Sequence, residues 1–293
     1  MYGSIKKNSD GFSMKRNNLL FCFLLLLSAL FGYGQPLKVM TYNIRLDVAS
    51  DGENDWAHRK EFFMSQIRFY EPDIIGVQEA TPGQVVDMAS ALPQYGRIGI
   101  GRDGNNLGEA SCIYYKKDRF IVSDTATFWL SETPDTVSKG WDAAINRVCT
   151  YGRFRDKKAK RSFRVFNTHL DHKGEVARTK GIELILSRIN AVSKKDEAVI
   201  FMGDLNSEPG ADRILALKTA MDDSRDISEE KPFGPSGTFN GFKHQEPVTV
   251  RIDYIFLSKN KKMKVKKYAV LSDSDKLRYP SDHLPVFVEL TYQ

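Results

Sequence analysis

The chain has 293 residues, 41% of them hydrophobic, which is enough to bury the core of one sizeable domain. Its formal charge is +6, but residues 1–34 hold Lys6, Lys7, Lys15 and Arg16 against Asp10, so the remainder carries about +3. So mild a balance suits a phosphate-bearing substrate without demanding nucleic acid, and no Pro/Ser-rich linker, repeat or low-complexity tract divides the chain in two.

In chain order, Lys15 and Arg16 precede an apolar run of thirteen residues, Leu19 to Phe31, followed by Gly32-Tyr33-Gly34 and Gln35-Pro36. The run falls short of the roughly 20 residues that cross a bilayer, so residues 1–34 read as a secretory signal peptide cleaved near Gln35. Residues 35–293 are then an exported domain, periplasmic or extracellular, with no transmembrane anchor after processing. Met14 is an alternative start, and Cys22 lies inside the apolar run and not just after it, which argues against a lipoprotein. Cys112 and Cys149 remain, each in an apparent strand, where free thiols are the commoner state; no bridge is assigned.

Leu37 to Arg45 alternates as a strand does and delivers Asn43 near its end. Trp56 to Tyr70 has helical spacing and is stopped by Glu71-Pro72. Asp73 to Val77 is a short apolar strand leading to Gln78-Glu79, and Pro82 to Leu92 a second helix with Thr81 as N-cap. Strands follow over 110–116, 120–130, 146–155 and 162–170. Glu175 to Val192 reads as an amphipathic helix, and the buried strand Ala198 to Met202 delivers Gly203-Asp204-Leu205-Asn206. The last strands span 251–258, 265–271 and 285–291. The basic stretches Lys157 to Arg161 and Lys259 to Lys267 read as solvated hairpin turns in preference to nucleic-acid contacts. Strands outnumber helices and many are adjacent hairpin-like pairs, which predicts an α+β fold of packed sheets and not a Rossmann-type parallel sheet.

Several strands end on chemistry. A carboxylate at Glu79, emerging from Ile74-Ile75-Gly76-Val77, is costly unless it meets a cation or lies exposed at the strand end. Asp204 and Asn206 are two apart, so an extended segment turns both to one side. Asp282 and His283 are adjacent, so in a strand they point to opposite faces and do different work. Three of the five histidines, His169, His172 and His283, fall in such segments.

Asn43, Gln78-Glu79, Asn167-Thr168-His169, Gly203-Asp204-Leu205-Asn206, Arg251-Ile252-Asp253-Tyr254 and Ser281-Asp282-His283, in that order, resemble the endonuclease/exonuclease/phosphatase superfamily, the deoxyribonuclease I-like metal-dependent phosphoesterases. The resemblance runs from Met40 to Val286. It implies a four-layer α/β/β/α sandwich of two packed mixed sheets flanked by helices, with the site at one end. It further implies metal ligation by Glu79 and Asp282 with Asn43 beside the metal. Asp204 would orient or deprotonate the attacking water, and Asn206 would bond a phosphate oxygen or touch the metal. His283 would do acid/base work polarised by Asp253, and His169 would bind phosphate or protonate the leaving group. His172 is either a second phosphate contact or a surface residue at the start of a helix. Arg147 stands where several branches carry a Tyr-Glu pair or an Arg; that departs from deoxyribonuclease I itself and offers a phosphate clamp or, failing that, a salt bridge. The loop Gly237 to Phe242 sits beside the site, with Phe239 and Phe242 read as core in preference to stacking on a substrate ring.

Phosphoester hydrolysis needs a hard cation, a positioned water and donors for developing charge. The ligands are oxygen donors and no Cys/His cluster has zinc spacing, so the cofactor expected is Mg²⁺ or Mn²⁺. The expected protein is a monomeric, exported phosphoester hydrolase that prefers small-molecule or lipid-headgroup phosphate esters. The alternative within enzymes is a secreted endonuclease or exonuclease acting on DNA or RNA. A silent binding module on the same scaffold is disfavoured by so many converging polar side chains.

Overall fold

The structure, a computed structural model, describes residues 1–4 and 35–293. Residues 5–34, which hold most of the expected signal peptide together with Met14 and Cys22, lie outside the described residues.

Residues 36–293 form two six-stranded sheets. The first runs β11 (Met263–Val270), β12 (Val286–Tyr292), β1 (Leu37–Asn43), β2 (Ile74–Ala80), β4 (Ala110–Lys116) and β3 (Tyr95–Ile98). The second runs β5 (Phe120–Trp129), β6 (Val148–Asp156), β7 (Ser162–His169), β8 (Ala198–Asp204), β10 (Asp253–Ser258) and β9 (Met221–Asp223). Each sheet contains one parallel pair among antiparallel neighbours: β1 with β2, and β7 with β8. A parallel pair requires a crossover, and each has a helix there, α1 (Trp56–Tyr70) for the first and α3 (Glu175–Val192) for the second.

The four layers follow from where the apolar faces go. Val39, Ile74, Phe163, Val165 and Ile200 belong to the core shared by the two sheets. Phe63, Met64 and Ile67 of α1 and Met88 of α2 (Pro82–Ala91) pack on the outer face of the first sheet. Ile182, Ile185 and Ile189 of α3, with Ile214 and Leu217 of α4 (Asp212–Ala220), cover the second. Two motif residues join the sheets: Gln78 Nε2 donates to Asn167 Oδ1 at 2.6 Å, and Asn167 Nδ2 donates to the carbonyls of Val77 and Cys112 at 2.9 and 2.8 Å. Asn167 therefore ties β7 across to β2 and β4, leaving the chemistry of its motif to His169.

The helix bounds of α1 and α3 match the sequence reading, and Thr81 caps α2 in a capping box with Gln84. Strands β3 and β9 and helix α4 were not foreseen. The two strands are short edge strands, and α4 has no side-chain N-cap. Cys112 and Cys149 are buried free thiols.

Candidate active site

Strands β1, β2, β7 and β8 all finish at one end of the sandwich, where β10 and β12, running opposite to β8 and β1, begin. Parallel pairing brings Asn43 beside Gln78 and His169 beside Asp204, and antiparallel pairing sets Asp253 opposite Asp204. Six segments far apart in the chain thus deliver their polar ends to one place.

Local backbone aims them. The β2–β4 register slips between Val77 and Ala80, a bulge in which Glu79 adopts φ 64°. A bulge turns a side chain off the ordinary strand alternation, and a left-handed glutamate is strained, the kind of outlier that surrounding structure must enforce. Gly203 is held at φ 145° with Thr168 O 2.0 Å from where a Cβ would stand, so only glycine lets β7 close against the Asp204 strand end.

Asn43 is the hub. Its Nδ2 lies 2.9 Å from Glu79 Oε1, 3.0 Å from Asp204 Oδ2 and 3.5 Å from His283 Nε2, while its Oδ1 accepts the Arg45 amide at 3.0 Å. Glu79 Oε2 accepts the Leu46 amide at 2.9 Å. His283 Nδ1 is 2.9 Å from Asp253 Oδ2, and its Nε2 is 3.7 Å from Asp204 Oδ2. Contact with a carboxylate puts a proton on Nδ1 and turns Nε2 toward Asp204. His169 Nε2 lies 3.0 Å from Asn206 Nδ2 and 3.4 Å from Asp204 Oδ2.

Asp282 and His283 precede β12 and are not part of a strand. They nevertheless diverge: His283 meets Asp253, while Asp282 Oδ2 lies 3.9 Å from Arg45 Nη1. The loop from Gly237 to Phe242 clamps this segment. Asn240 N and Gly241 N donate to Asp282 O, and Leu284 N donates to Thr238 O. The Thr238 hydroxyl accepts the Asp253 amide at 3.2 Å. Phe239, read from sequence as core, is instead 38% exposed, its ring edge-on to the His283 imidazole with centroids 5.1 Å apart. Periodicity could not show this, because the loop follows no strand or helix repeat.

Charge in the site is lopsided. Burial, then Asp253, pushes the Asp204 carboxyl up to about 7 despite the His283 and Asn43 contacts. Burial likewise raises Asp282, and Glu79 raises it further. His283 is burdened by desolvation, but Asp253 and Asp204 hold its proton and lift it well above the usual imidazole range. His169 goes the other way: burial, Arg147 and His283 hold it well below that range, so it is neutral.

Arg147 is buried just before β6. It lies 3.4 Å from Asp171 through Nε and 3.1 Å from His172 Nδ1 through Nη2, and it lines a cleft with Glu79 and His169. The ion pair with Asp171 is the salt bridge of the sequence reading, and the residue also stands in the cleft wall. His172 is exposed and steadies Arg147. Asp171, held down to about 2 chiefly by the Gly174 and Lys173 amides against the cost of burial, shapes the turn into α3.

Sequence reasoning missed Arg45, Arg59 and Gln84. Arg45 binds Asp51 through Nε and Nη2 at 2.8 Å each. Arg59, buried, donates to the carbonyls of Ile44, Arg45 and Pro280, stapling the β1 end to the loop before Asp282; Gln84 also bonds the Arg45 carbonyl. These residues hold the backbone that holds the site, and no local motif announces them.

The residues fit a divalent cation. Glu79 and Asp282 are neighbouring carboxylates; of the arginines near Asp282, Arg45 is committed to Asp51 and Arg59 to backbone carbonyls, and a buried Asp253 Oδ1 has no hydrogen-bond partner. Donor atoms of Asp204, Asp253 and His283 also lie within 4.8 Å of one another, close enough to hold an ion. An ion on His283 Nδ1 would displace the proton shared with Asp253, so the Glu79–Asp282 side is the better oxygen-donor seat.

The family model described as Endonuclease/Exonuclease/phosphatase family matches residues 40–283. A solved family protein from Bacteroides thetaiotaomicron is 37% identical, with 89% of this chain and 97% of that one covered at a TM-score of 0.83. A mannosyl-6-phosphatase from Bacteroides thetaiotaomicron is also 37% identical, covering 87% and 100% at 0.82. The human Nocturnin catalytic domain, 20% identical over 88% and 95% at 0.70, shares the fold. Among curated relatives, a mimivirus protein is 29% identical over 55% of this chain and Drosophila melanogaster Nocturnin 24% over 78%. The chain spans 61% and 41% of the length of those two relatives.

Proposed function

The chain belongs to the endonuclease/exonuclease/phosphatase family, and from that premise we propose an exported, divalent-cation-dependent hydrolase of small phosphate esters, sugar phosphates foremost. The observation that carries the chemistry is the continuous polar chain Asp253–His283–Asp204, held by Asn43 against Glu79. Glu79 and Asp282 would hold Mg²⁺ or Mn²⁺, which supplies charge neutralisation at the phosphate oxygens. Asp204 orients the attacking water. His283, its Nδ1 proton kept by Asp253, exchanges a proton through Nε2. Asn206 and neutral His169 donate to the phosphate or the departing oxygen, and Arg147 adds a fixed positive charge.

Two observations favour small esters over nucleic acid. The mannosyl-6-phosphatase shares 37% identity with the chain over 87% of its length. The turns after β6 and β10, which carry Lys157 to Arg161 and Lys259 to Lys262, lie at the ends of those strands remote from the site, while Lys264, Lys266 and Lys267, read from sequence as part of the second turn, instead stand on β11. A lipid-linked ester is equally compatible with the chemistry. Export rests on the N-terminal sequence alone.

A panel of sugar phosphates, inositol phosphates, phospholipids, RNA and single- and double-stranded DNA, with Mg²⁺ or Mn²⁺ and with EDTA, tests the reading. Turnover of a small ester that chelation abolishes is expected. Efficient plasmid nicking without small-ester turnover would transfer the assignment to a nuclease, and full activity after exhaustive chelation would remove the cation.

A further inference from the structure

Next to the segment that delivers Asp282 lies a cavity of about 310 Å³, lined by residues the proposed reaction does not use. One wall is the end of the 3-10 segment Ala49–Asn54 with the first turns of α1; the other is the hairpin Asp275 to Arg278, continued by Tyr279 and Pro280. The size falls within the range of ligand pockets, about 300–1,000 Å³. Two links tie it to the reaction centre. Arg59, one of its lining residues, donates to the carbonyls of Ile44 and Pro280, and Pro280 stands two residues, at most roughly 7–8 Å, before Asp282.

The polar groups on these walls are open and uncommitted. Asp275 and Lys276 are exposed and Asn54 half-buried, and among the described residues none of the three side chains has a hydrogen bond or ion pair. His58, half exposed, meets Asp55 through Nδ1 alone. Glu53 and Asp275 balance Lys276 and Arg278, with Arg278 on Glu53 at 2.9 Å, while every guanidinium nitrogen of Arg59 is spent on a backbone carbonyl. Phe62 and Tyr279 add apolar surface, and Tyr279 is backed by His244 with ring centroids 4.8 Å apart. The hairpin tip is strained, because Lys276 and Leu277 sit consecutively at φ 49° and 61° in a turn that asparagine and glycine favour. Paired backbone bonds between Asp275 and Arg278, at 3.0 and 2.9 Å, hold it in place.

A second phosphate would require surplus positive charge here, and a hydrocarbon chain would strand the polar groups. Neighbouring hydroxyls on a saccharide ring use donors and acceptors together, and the ring's C–H edges suit the aromatic surface. We propose that this cavity is a saccharide subsite, which holds a neutral sugar joined to the phosphorylated one, so that the preferred substrate is a phosphorylated oligosaccharide and not a free hexose phosphate. This rests on the small-ester reading and extends it to the part of the substrate beyond the ester. Since no lining residue takes part in the proposed reaction, the cavity contributes to binding.

The test compares a hexose 6-phosphate with a disaccharide that carries the same 6-phosphate on one sugar. The wild type should favour the disaccharide by about tenfold or more in kcat/KM, mainly through KM. The double variant Asn54→Ala/Asp275→Ala should bring that preference within about twofold, and Lys276→Ala alone should reduce it about threefold, as expected for lost hydrogen bonds. Activity of both variants on the hexose 6-phosphate should stay within about twofold of the wild type, which also certifies the fold. A wild type without preference for the disaccharide, or equal losses on both substrates in either variant, would overturn the subsite and leave the hydrolase reading intact. A wild type that hydrolyses neither ester but nicks plasmid DNA would defeat the parent reading itself.

Discussion

At the end of the sandwich where β1 and β2 begin, Arg119 is buried with both faces of its charge answered. It bonds Asp156 Oδ2 through Nε and Nη2 at 3.0 and 2.8 Å, and Asp73 Oδ2 and Pro36 O through Nη1 at 2.6 and 3.0 Å. Asp156 also accepts from the Lys158 and Ala159 amides and from the Tyr292 hydroxyl. At the opposite end Glu79, Asp204, Asp253 and Asp282 converge with Arg45 at 3.9 Å from one of them and a histidine shared by two. Both ends take carboxylates out of water. One matches each with a cation and donors. The other leaves negative charge in excess, which is how a stable fold holds a place for a cation and its substrate.

The largest effect should come from the uncompensated end. His283→Ala, Asp253→Asn and the double variant should each lose about 10³- to 10⁴-fold in kcat, with the double far from multiplicative because the pair acts as one unit. Asp204→Asn should lose at least as much while keeping or raising the melting temperature, since it removes a carboxylate that burial and Asp253 destabilise. Near-normal kcat in His283→Ala on the true substrate would remove the histidine from the proton transfer.

The compensated end should answer in reverse. Arg119→Met leaves Asp156 buried without its cation and Asp73 with Lys116 alone at 3.4 Å, and breaking such a buried pair costs about 3–5 kcal/mol. Calorimetry should find the melting point lowered by roughly 6–20 °C, at about 2–4 °C per kcal/mol for a domain of this size. Below that temperature kcat should be unchanged. A large fall in kcat without loss of stability would mean that the two ends are coupled.

pH separates them as well. The folded pKa of Asp204 is raised, so between about 4 and about 7 the metal-free native state keeps a proton that the unfolded chain has released, and stability falls as pH rises through that window. His283, also raised, adds stability below its unfolded value near 6.5 and loses it as pH climbs through the folded value, which is the same sign. Asp156 is the opposite case. Burial raises it, but the Ala159 amide, Arg119 and the Lys158 amide outweigh burial and hold it below the usual range, so its stabilisation is present above about 4 and lost in acid. In chelator, the slope of stability against pH from 4 to 7 should become less negative in Asp204→Asn by up to about 1.4 kcal/mol per pH unit. Addition of Mg²⁺ should have the same effect on the wild type. An unchanged slope in Asp204→Asn would show that Asp204 is ionised throughout.

How much of this was legible in the sequence divides along a similar line. Helices α1 and α3, and strands such as β4, carry strong periodicity and clear stops, and their bounds were readable. The ten site residues named from motifs all lie at the one end of the sandwich or in the turn leading to α3, since most of them sit at or just beyond the end of a strand, whether its finish, as for Asn43 and Asp204, or its start, as for Asp253. What could not be read was relational. Asn43 bridges to Asp204 across 161 positions, Arg59 reaches Pro280 across 221, and the far-end network joins Asp73, Arg119, Asp156 and Tyr292, none of which stands in a motif. Glu79's bulge and Phe239's place on His283 depend on register and loop path, which local composition does not encode.

The smallest expected effect concerns the two basic clusters, and it bears on substrate class. Strand β6 starts beside Arg147 and runs nine residues away from the site before the turn that carries Lys157 to Arg161. At about 3.3 Å per residue that turn stands roughly 25–30 Å from the cleft. The turn after β10, with Lys259 to Lys262, is likewise at the remote end of a strand that begins at Asp253. A nuclease that drew its affinity from these lysines would need DNA to run the length of the sandwich, with several phosphate contacts and a steep salt dependence. A phosphatase of small esters needs none of them. Replacing Lys160, Arg161, Lys261 and Lys262 together by glutamine should change kcat/KM on a small phosphoester by less than about twofold, at low and at high salt alike. A loss that grows as salt is lowered would show that these distant charges draw the substrate in, and would return weight to a long anionic polymer as the natural ligand.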